Sequence, residues 1–255
     1  MRQTVIVLER HLEKRGRKMS KKVIIVIVEG FSDETLSIER LQSLYLDSEI
    51  RFEIQFGDIF YDSVVKDSPK KIIGDVINDI RKKRKYLSED ILAILHIMDT
   101  DGCFIARENV VVNQVIKQNT HYTLTNILVD GDEQKERIIK RNKKRSNNIR
   151  TMTTIDKIIS KKYPYQLFYF SRNLEHVIFD NPNPDKKGKV EDVEVFISSL
   201  NRPIEEYLIP FLPTMTNTDY PTQYKESWQF IETELNSLNR YSNVSLLFKF
   251  IDQTI

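Results

Sequence analysis

Residues 23–28 read VIIVIV and residues 91–98 read ILAILHIM; the first run ends in Glu29-Gly30 and the second in Asp99-Thr100-Asp101-Gly102. Short continuous apolar runs rich in β-branched side chains are the pattern of strands covered on both faces, the condition found in a parallel sheet. After the first run Ser32 can cap a helix, with Asp33 and Glu34 in its first turn and Leu36, Leu41 and Leu44 among its apolar positions. Residues 52–56 alternate as a further strand. Ser68-Pro69 then opens an amphipathic helix with Ile72, Ile73, Val76, Ile77 and Ile80 inward and Arg81 to Lys85 at its end. Strands that alternate with helices predict an α/β fold with a mostly parallel sheet flanked by helices.

Further along, Thr123 to Val129 reads as a strand ending in Asp130 and Asp132, and Ile155 to Lys161 as a helix started by Thr154. Tyr165 to Phe170 (YQLFYF) reads as the last strand and runs into Ser171-Arg172-Asn173-Leu174-Glu175-His176. From about Lys189 the patterns are helical: Val190 to Leu200, Ile204 to Leu212, Gln223 to Leu238 and Val244 to Ile251, separated by Pro203, Pro210, Pro213 and Pro221. The expected organisation is a basic N-terminal segment (1–20), an α/β catalytic domain (21–185) and a helical C-terminal region (186–255).

A chain of 255 residues, 40% of them hydrophobic, can bury its own core. One cysteine, Cys103, excludes an internal disulfide and a thiolate zinc site, and is expected to be a small buried hydrophobe. No apolar run approaches the roughly 20 residues of a membrane span and no signal peptide opens the sequence, so the expectation is a cytoplasmic protein without a membrane partner. Seven glycines, with no GxxxxGK[ST] and no GxGxxG, exclude the commonest phosphate loops. The net charge of +2 conceals basic clusters at Arg10 to Lys22, Arg81 to Lys85 and Lys135 to Arg150.

In open α/β sheets, ligands gather beyond the carboxyl ends of the strands. Glu29, Asp99, Asp101 and Glu175 all fall there. Carboxylates at i and i+2 in an extended exit loop can face the same way, so Asp99 and Asp101 together with Glu29 supply the hard oxygen donors that Mg²⁺ or Mn²⁺ prefers. Turn formation alone explains Asp and Gly after one strand; Glu-Gly after another is what favours a metal site. Glu175 reads equally as a carboxylate favoured in the first turn of a helix. Asp130 and Asp132 fit a turn before the basic segment, or a second Asp-x-Asp. His96, inside an apolar strand, reads as a satisfied core or rim residue. Lys140, Arg141, Lys143, Lys144 and Arg145 are the first choice for phosphate contacts, since a nucleic acid needs its charge neutralised near an acidic site.

The pairing of Val28-Glu29-Gly30 with Asp99-Thr100-Asp101, 70 positions apart (29 to 99), resembles the Toprim fold of topoisomerases, bacterial primases and several nucleases. The likeness covers roughly the first half of the chain. Within that fold, Ser171 to Glu175 is similar to the strand-Ser-x-x-x-Glu segment of the OLD-type and RloB-like nucleases associated with phage defence and abortive infection. The resemblance implies Glu29 as metal ligand or general base, Asp99 and Asp101 as metal ligands, Glu175 completing a second metal position, and Asp33 in a supporting acidic position. It implies a Mg²⁺- or Mn²⁺-dependent nuclease acting on DNA or RNA, including tRNA. The alternatives are a structured-RNA processing nuclease, or a non-cleaving, metal- and nucleic-acid-binding regulatory subunit of an ATPase partner. Self-association is left open. The ATPase of OLD proteins, the breakage-reunion parts of a topoisomerase and the zinc module of a primase have no counterpart in the sequence.

Overall fold

The computed structural model describes residues 22–30, 40–45, 50–57, 67–116, 120–184 and 189–254. The N-terminal basic segment, Ser32, Asp33, Glu34 and Leu36 lie outside the described residues. The strands are β1 (Lys22–Val28), β2 (Ile50–Phe56), β3 (Ile91–Asp99), β4 (Val110–Val112), β5 (Thr120–Tyr122), β6 (Ile127–Val129), β7 (Lys157–Ile158) and β8 (Tyr163–Phe170). The longer helices are α1 (Pro69–Arg84), α2 (Asp132–Thr153), α3 (Leu174–Phe179), α4 (Lys189–Ser199), α5 (Ile204–Leu208), α6 (Tyr220–Ile231) and α7 (Ser245–Thr254).

The main sheet has the order β2-β1-β3-β8-β7; its first four strands are parallel and β7 is an antiparallel edge. Val23 to Val28 have no exposed surface because β1 lies between β2 and β3 with both faces covered. Side chains alternate across the sheet. Ile24, Val26, Val28, Leu95, Ile97, Phe168 and Phe170 pack on one face, with Leu174 and Val177 of α3 and Leu246, Leu247, Phe250 and Ile251 of α7. Val23, Ile25, Ile27, Ile94, Met98, Tyr165 and Tyr169 pack on the other, with Ile73 and Ile77 of α1, Ile149 and Met152 of α2, and Trp228 and Ile231 of α6. The C-terminal helices thus contribute to both core layers.

Helix α1 begins as its sequence dictates: the Ser68 hydroxyl accepts from the Lys71 amide, and Pro69 occupies the first turn. Two stretches differ from the sequence reading. Residues 123–129 do not form one strand. The Thr123 hydroxyl accepts from the amides of Thr125 and Asn126 at 3.3 and 2.9 Å, closing a turn that separates β5 from β6. Those two strands pair antiparallel in a separate sheet, β4-β6-β5, outside the main one. Nor does Thr154 start a helix: it caps the end of α2, and Ile159, Ser160 and Lys161 have φ of 51°, 53° and 60°. Three consecutive left-handed residues cannot belong to a right-handed helix. Among the described residues no helix is long and apolar enough to cross a membrane.

Candidate functional site

The carboxyl ends of β1, β3 and β8, three neighbours in the sheet, carry Glu29, Asp99-Thr100-Asp101 and the segment leading to Glu175. The Asp-Thr-Asp-Gly turn is fastened to β8. The Thr100 amide donates to the Phe170 carbonyl at 3.0 Å and the Asp101 amide to the Arg172 carbonyl at 2.9 Å. The buried Thr100 hydroxyl accepts from the Arg172 amide at 2.9 Å. Asp101 and Gly102 both sit in the left-handed region, with φ of 51° and 64°. A Cβ on Gly102 would come within 2.6 Å of the Leu238 side chain, so glycine is required there for both conformation and space.

Asp99 turns its Oδ1 to the Leu174 amide, at 3.1 Å, so the last residue of β3 holds the first turn of α3. The Asn173 side chain accepts from the His176 amide and caps the same turn. Glu175, in that turn, is buried. Thus Asp99 and Glu175 are linked through one short helix start.

The residue that ties the strand ends together comes from α2. The Arg145 side chain has no exposed surface. Its Nη2 donates to Glu29 Oε1 and, at 2.5 Å, to the Asp99 carbonyl. Nε donates to that carbonyl at 3.1 Å, and Nη1 lies 3.7 Å from Asp101 Oδ2. One turn earlier, Arg141 Nη2 donates to the Asp101 carbonyl at 2.8 Å and Nη1 also lies 3.7 Å from Asp101 Oδ2. Arg141 Nη1 donates to the Tyr122 hydroxyl at 3.2 Å. Burial opposes the Arg141 charge, but Tyr122 and Asp101 hold its pKa above the ordinary value. Beneath Tyr122, the buried Arg172 guanidinium stacks at 5.3 Å and donates to the carbonyls of Thr123 and Leu238.

Five basic residues of α2 were expected to contact phosphate, and they divide between two faces. Lys140 and Lys143 are exposed, Arg141 and Lys144 are half-buried, and Arg145 is buried against the carboxylates. The inward role of Arg145 was missed, although the sequence carried a signal. Ile138, Asn142, Arg145, Ile149 and Met152, spaced by four, three, four and three residues, form the buried stripe. A strongly polar helix hid it. Asp130 and Asp132 are exposed at the start of α2, next to the small sheet.

His96 is buried, its Nδ1 3.0 Å from the Tyr165 hydroxyl; burial and then Arg145 lower its pKa to about 3, so it is neutral. Burial pushes the Cys103 thiol up to about 12, leaving it an inert core group.

Hard carboxylate oxygens at adjacent strand ends suit a divalent cation by donor type. The buried guanidinium among them is a stand-in positive charge, which shows that the pocket accommodates a cation. With Arg145 in place, however, no three His, Cys, Asp or Glu side chains among the described residues are grouped to hold a metal ion. Asp33 lies outside the described residues. Comparison of the chain with protein-family models, with curated proteins and with solved structures finds no match.

Proposed function

We propose that this protein is a Mg²⁺- or Mn²⁺-dependent nuclease of Toprim type that hydrolyses phosphodiester bonds, acting as an effector of antiviral defence. The observation that carries the chemistry is the clustering of Glu29, Asp99 and Asp101 at the ends of β1 and β3 around a buried positive charge. The biological role rests only on the resemblance of the Glu-Gly, Asp-x-Asp and Ser-x-x-x-Glu segments to phage-defence nucleases.

In this reading Glu29, Asp99 and Asp101 hold the metal, and Glu175 and Asp33 complete a second position. A bound divalent cation supplies Lewis-acid stabilisation of charge on a phosphate oxygen and acidifies water. The chain's own groups do the rest. Glu29 serves as ligand or accepts a proton at a carboxylate oxygen. The exposed Lys140 and Lys143 neutralise the nucleic-acid backbone, while half-buried Arg141 presents its guanidinium beside Asp101. Asp99 holds the helix start that carries Glu175.

A second reading is a non-cleaving, metal- and nucleic-acid-binding subunit of an ATPase partner; the neutralisation of Glu29 by Arg145 favours it. Purified protein incubated with plasmid, linear DNA and total tRNA, with Mn²⁺ or with EDTA, separates the two. The nuclease reading expects Mn²⁺-dependent cleavage that is lost in Glu29→Gln and Asp101→Asn. Cleavage of tRNA in preference to DNA would assign RNA processing or tRNA attack. Metal and nucleic-acid binding without cleavage of any of these substrates supports the regulatory subunit.

A further inference from the structure

The carboxylate cluster has an internal cation, and that cation belongs to the polypeptide. Arg145 is fixed by the stripe that packs α2 on the sheet, with Ile149 and Met152 buried on its C-terminal side. Its guanidinium spans three groups at once: Glu29 Oε1, the Asp99 carbonyl, and, at 3.7 Å, Asp101 Oδ2. Arg141 approaches the same Asp101 oxygen from the next turn, also at 3.7 Å. Asp101 therefore faces two positive charges without a short bond to either, and its side chain is 30% exposed.

A divalent ion shared by Glu29 and Asp101 would have to lie against the Arg145 guanidinium. Two cations about 4 Å apart in a partly desolvated pocket repel by several kcal/mol. The two Arg145 bonds to the Asp99 carbonyl do not compete with carboxylate ligation, whereas the bond to Glu29 does.

We propose that Arg145 is a positioning residue that holds the site closed as its resident counter-ion, and that a divalent cation enters by exchange with it. Metal binding and release of Glu29 from Arg145 are one event. The released guanidinium, retained by the Asp99 carbonyl, then faces the incoming phosphate beside Arg141. This inference rests on the reading of Glu29 and Asp101 as metal ligands.

The experiment titrates the full chain with Mn²⁺ alone, followed by calorimetry and by the electron paramagnetic resonance of free Mn²⁺. It compares the unaltered protein with Arg145→Met, Arg145→Lys, Arg141→Met and Glu29→Gln. If the guanidinium is the competitor, Arg145→Met binds Mn²⁺ at least about tenfold more tightly, Arg145→Lys binds much as the parent does, and Glu29→Gln binds more weakly. A purely structural role for Arg145 would lower affinity or leave it unchanged. In the unaltered protein, saturating Mg²⁺ should also speed solvent exchange of the Arg145 Nη protons severalfold, a readout that needs no variant to fold.

Mn²⁺ affinity equal to or weaker than the parent's in folded Arg145→Met, with Glu29→Gln still weakening binding, overturns the exchange and leaves the metal reading standing. Arg145 Nη protons unmoved by bound Mg²⁺ do the same. Absence of Mn²⁺ binding in every form, Arg145→Met included, overturns the metal reading and the exchange with it.

Discussion

Arg145 and Glu29, 116 residues apart in sequence, form a buried ion pair across the ends of the sheet, with the arginine side chain fully enclosed and the glutamate 17% exposed. Removing one partner of such a pair strands the other charge away from water. Arg145→Met should lower the stability of the metal-free protein by about 2–3 kcal/mol, less than for a fully buried pair because Glu29 retains some solvent. Urea denaturation of Arg145→Met, Glu29→Gln and the double variant checks this. Additive losses would show that the pair contributes nothing specific, whereas a coupling of about 1 kcal/mol or more is expected.

Asp99 combines a charge with a hydrogen-bond acceptor for the Leu174 amide. Asp99→Asn can keep the acceptor and loses only the charge, so its urea midpoint should stay close to the parent's while metal-dependent cleavage is abolished. Asp99→Ala loses both and should cost about 1 kcal/mol of stability in addition. Full cleavage activity in Asp99→Asn would remove Asp99 from the ligand set.

Lys140 and Lys143 stand on the exposed side of α2, away from the carboxylates that Arg145 engages. Replacing both with Gln should weaken nucleic-acid binding and flatten the plot of log affinity against log salt by about 2, roughly one unit for each phosphate that is no longer neutralised. Fluorescence anisotropy with a labelled duplex at several salt concentrations measures the slope. A slope identical to the parent's would place the nucleic acid elsewhere.

Gly102, at φ of 64° and with Leu238 facing its missing side chain, should not tolerate alanine. Gly102→Ala is expected to cost about 2 kcal/mol or more, since left-handed backbone strain and a core clash add. A thermal or urea midpoint equal to the parent's would contradict the tight approach of Leu238.

His96 is neutral in the fold, with its pKa lowered to about 3 by burial and then by Arg145; Tyr165 faces its Nδ1. In the unfolded chain it takes a proton near its ordinary value of about 6.5. The unfolded state therefore binds more protons below that pH. The resulting stability is fully present above about pH 6.5 and is lost as pH falls toward 3, at about 1.4 kcal/mol per pH unit. His96→Gln should remove this part of the slope between pH 6 and 4, as read by urea midpoints. An unchanged slope would mean that His96 titrates normally.

Much of the scaffold was legible because it depends on short-range pattern. The all-apolar runs at 23–28 and 91–98 specified strands covered on both faces, and Ser68-Pro69 specified the start of α1, because burial and capping are properties of neighbouring residues. The order of those elements also put Glu29 and Asp99 at the carboxyl ends of strands, and the fold makes those strands neighbours. Other features required the folded chain. The break at Thr123 comes from a hydroxyl bonding to amides two and three residues on, which outweighed the strand propensity of the run. The division of α2 into an inward arginine and outward lysines depended on which side of the helix met the sheet. An ion pair such as Arg145 with Glu29 has no local signature: its energy exists only once packing has excluded water and brought two distant segments within a hydrogen bond of each other.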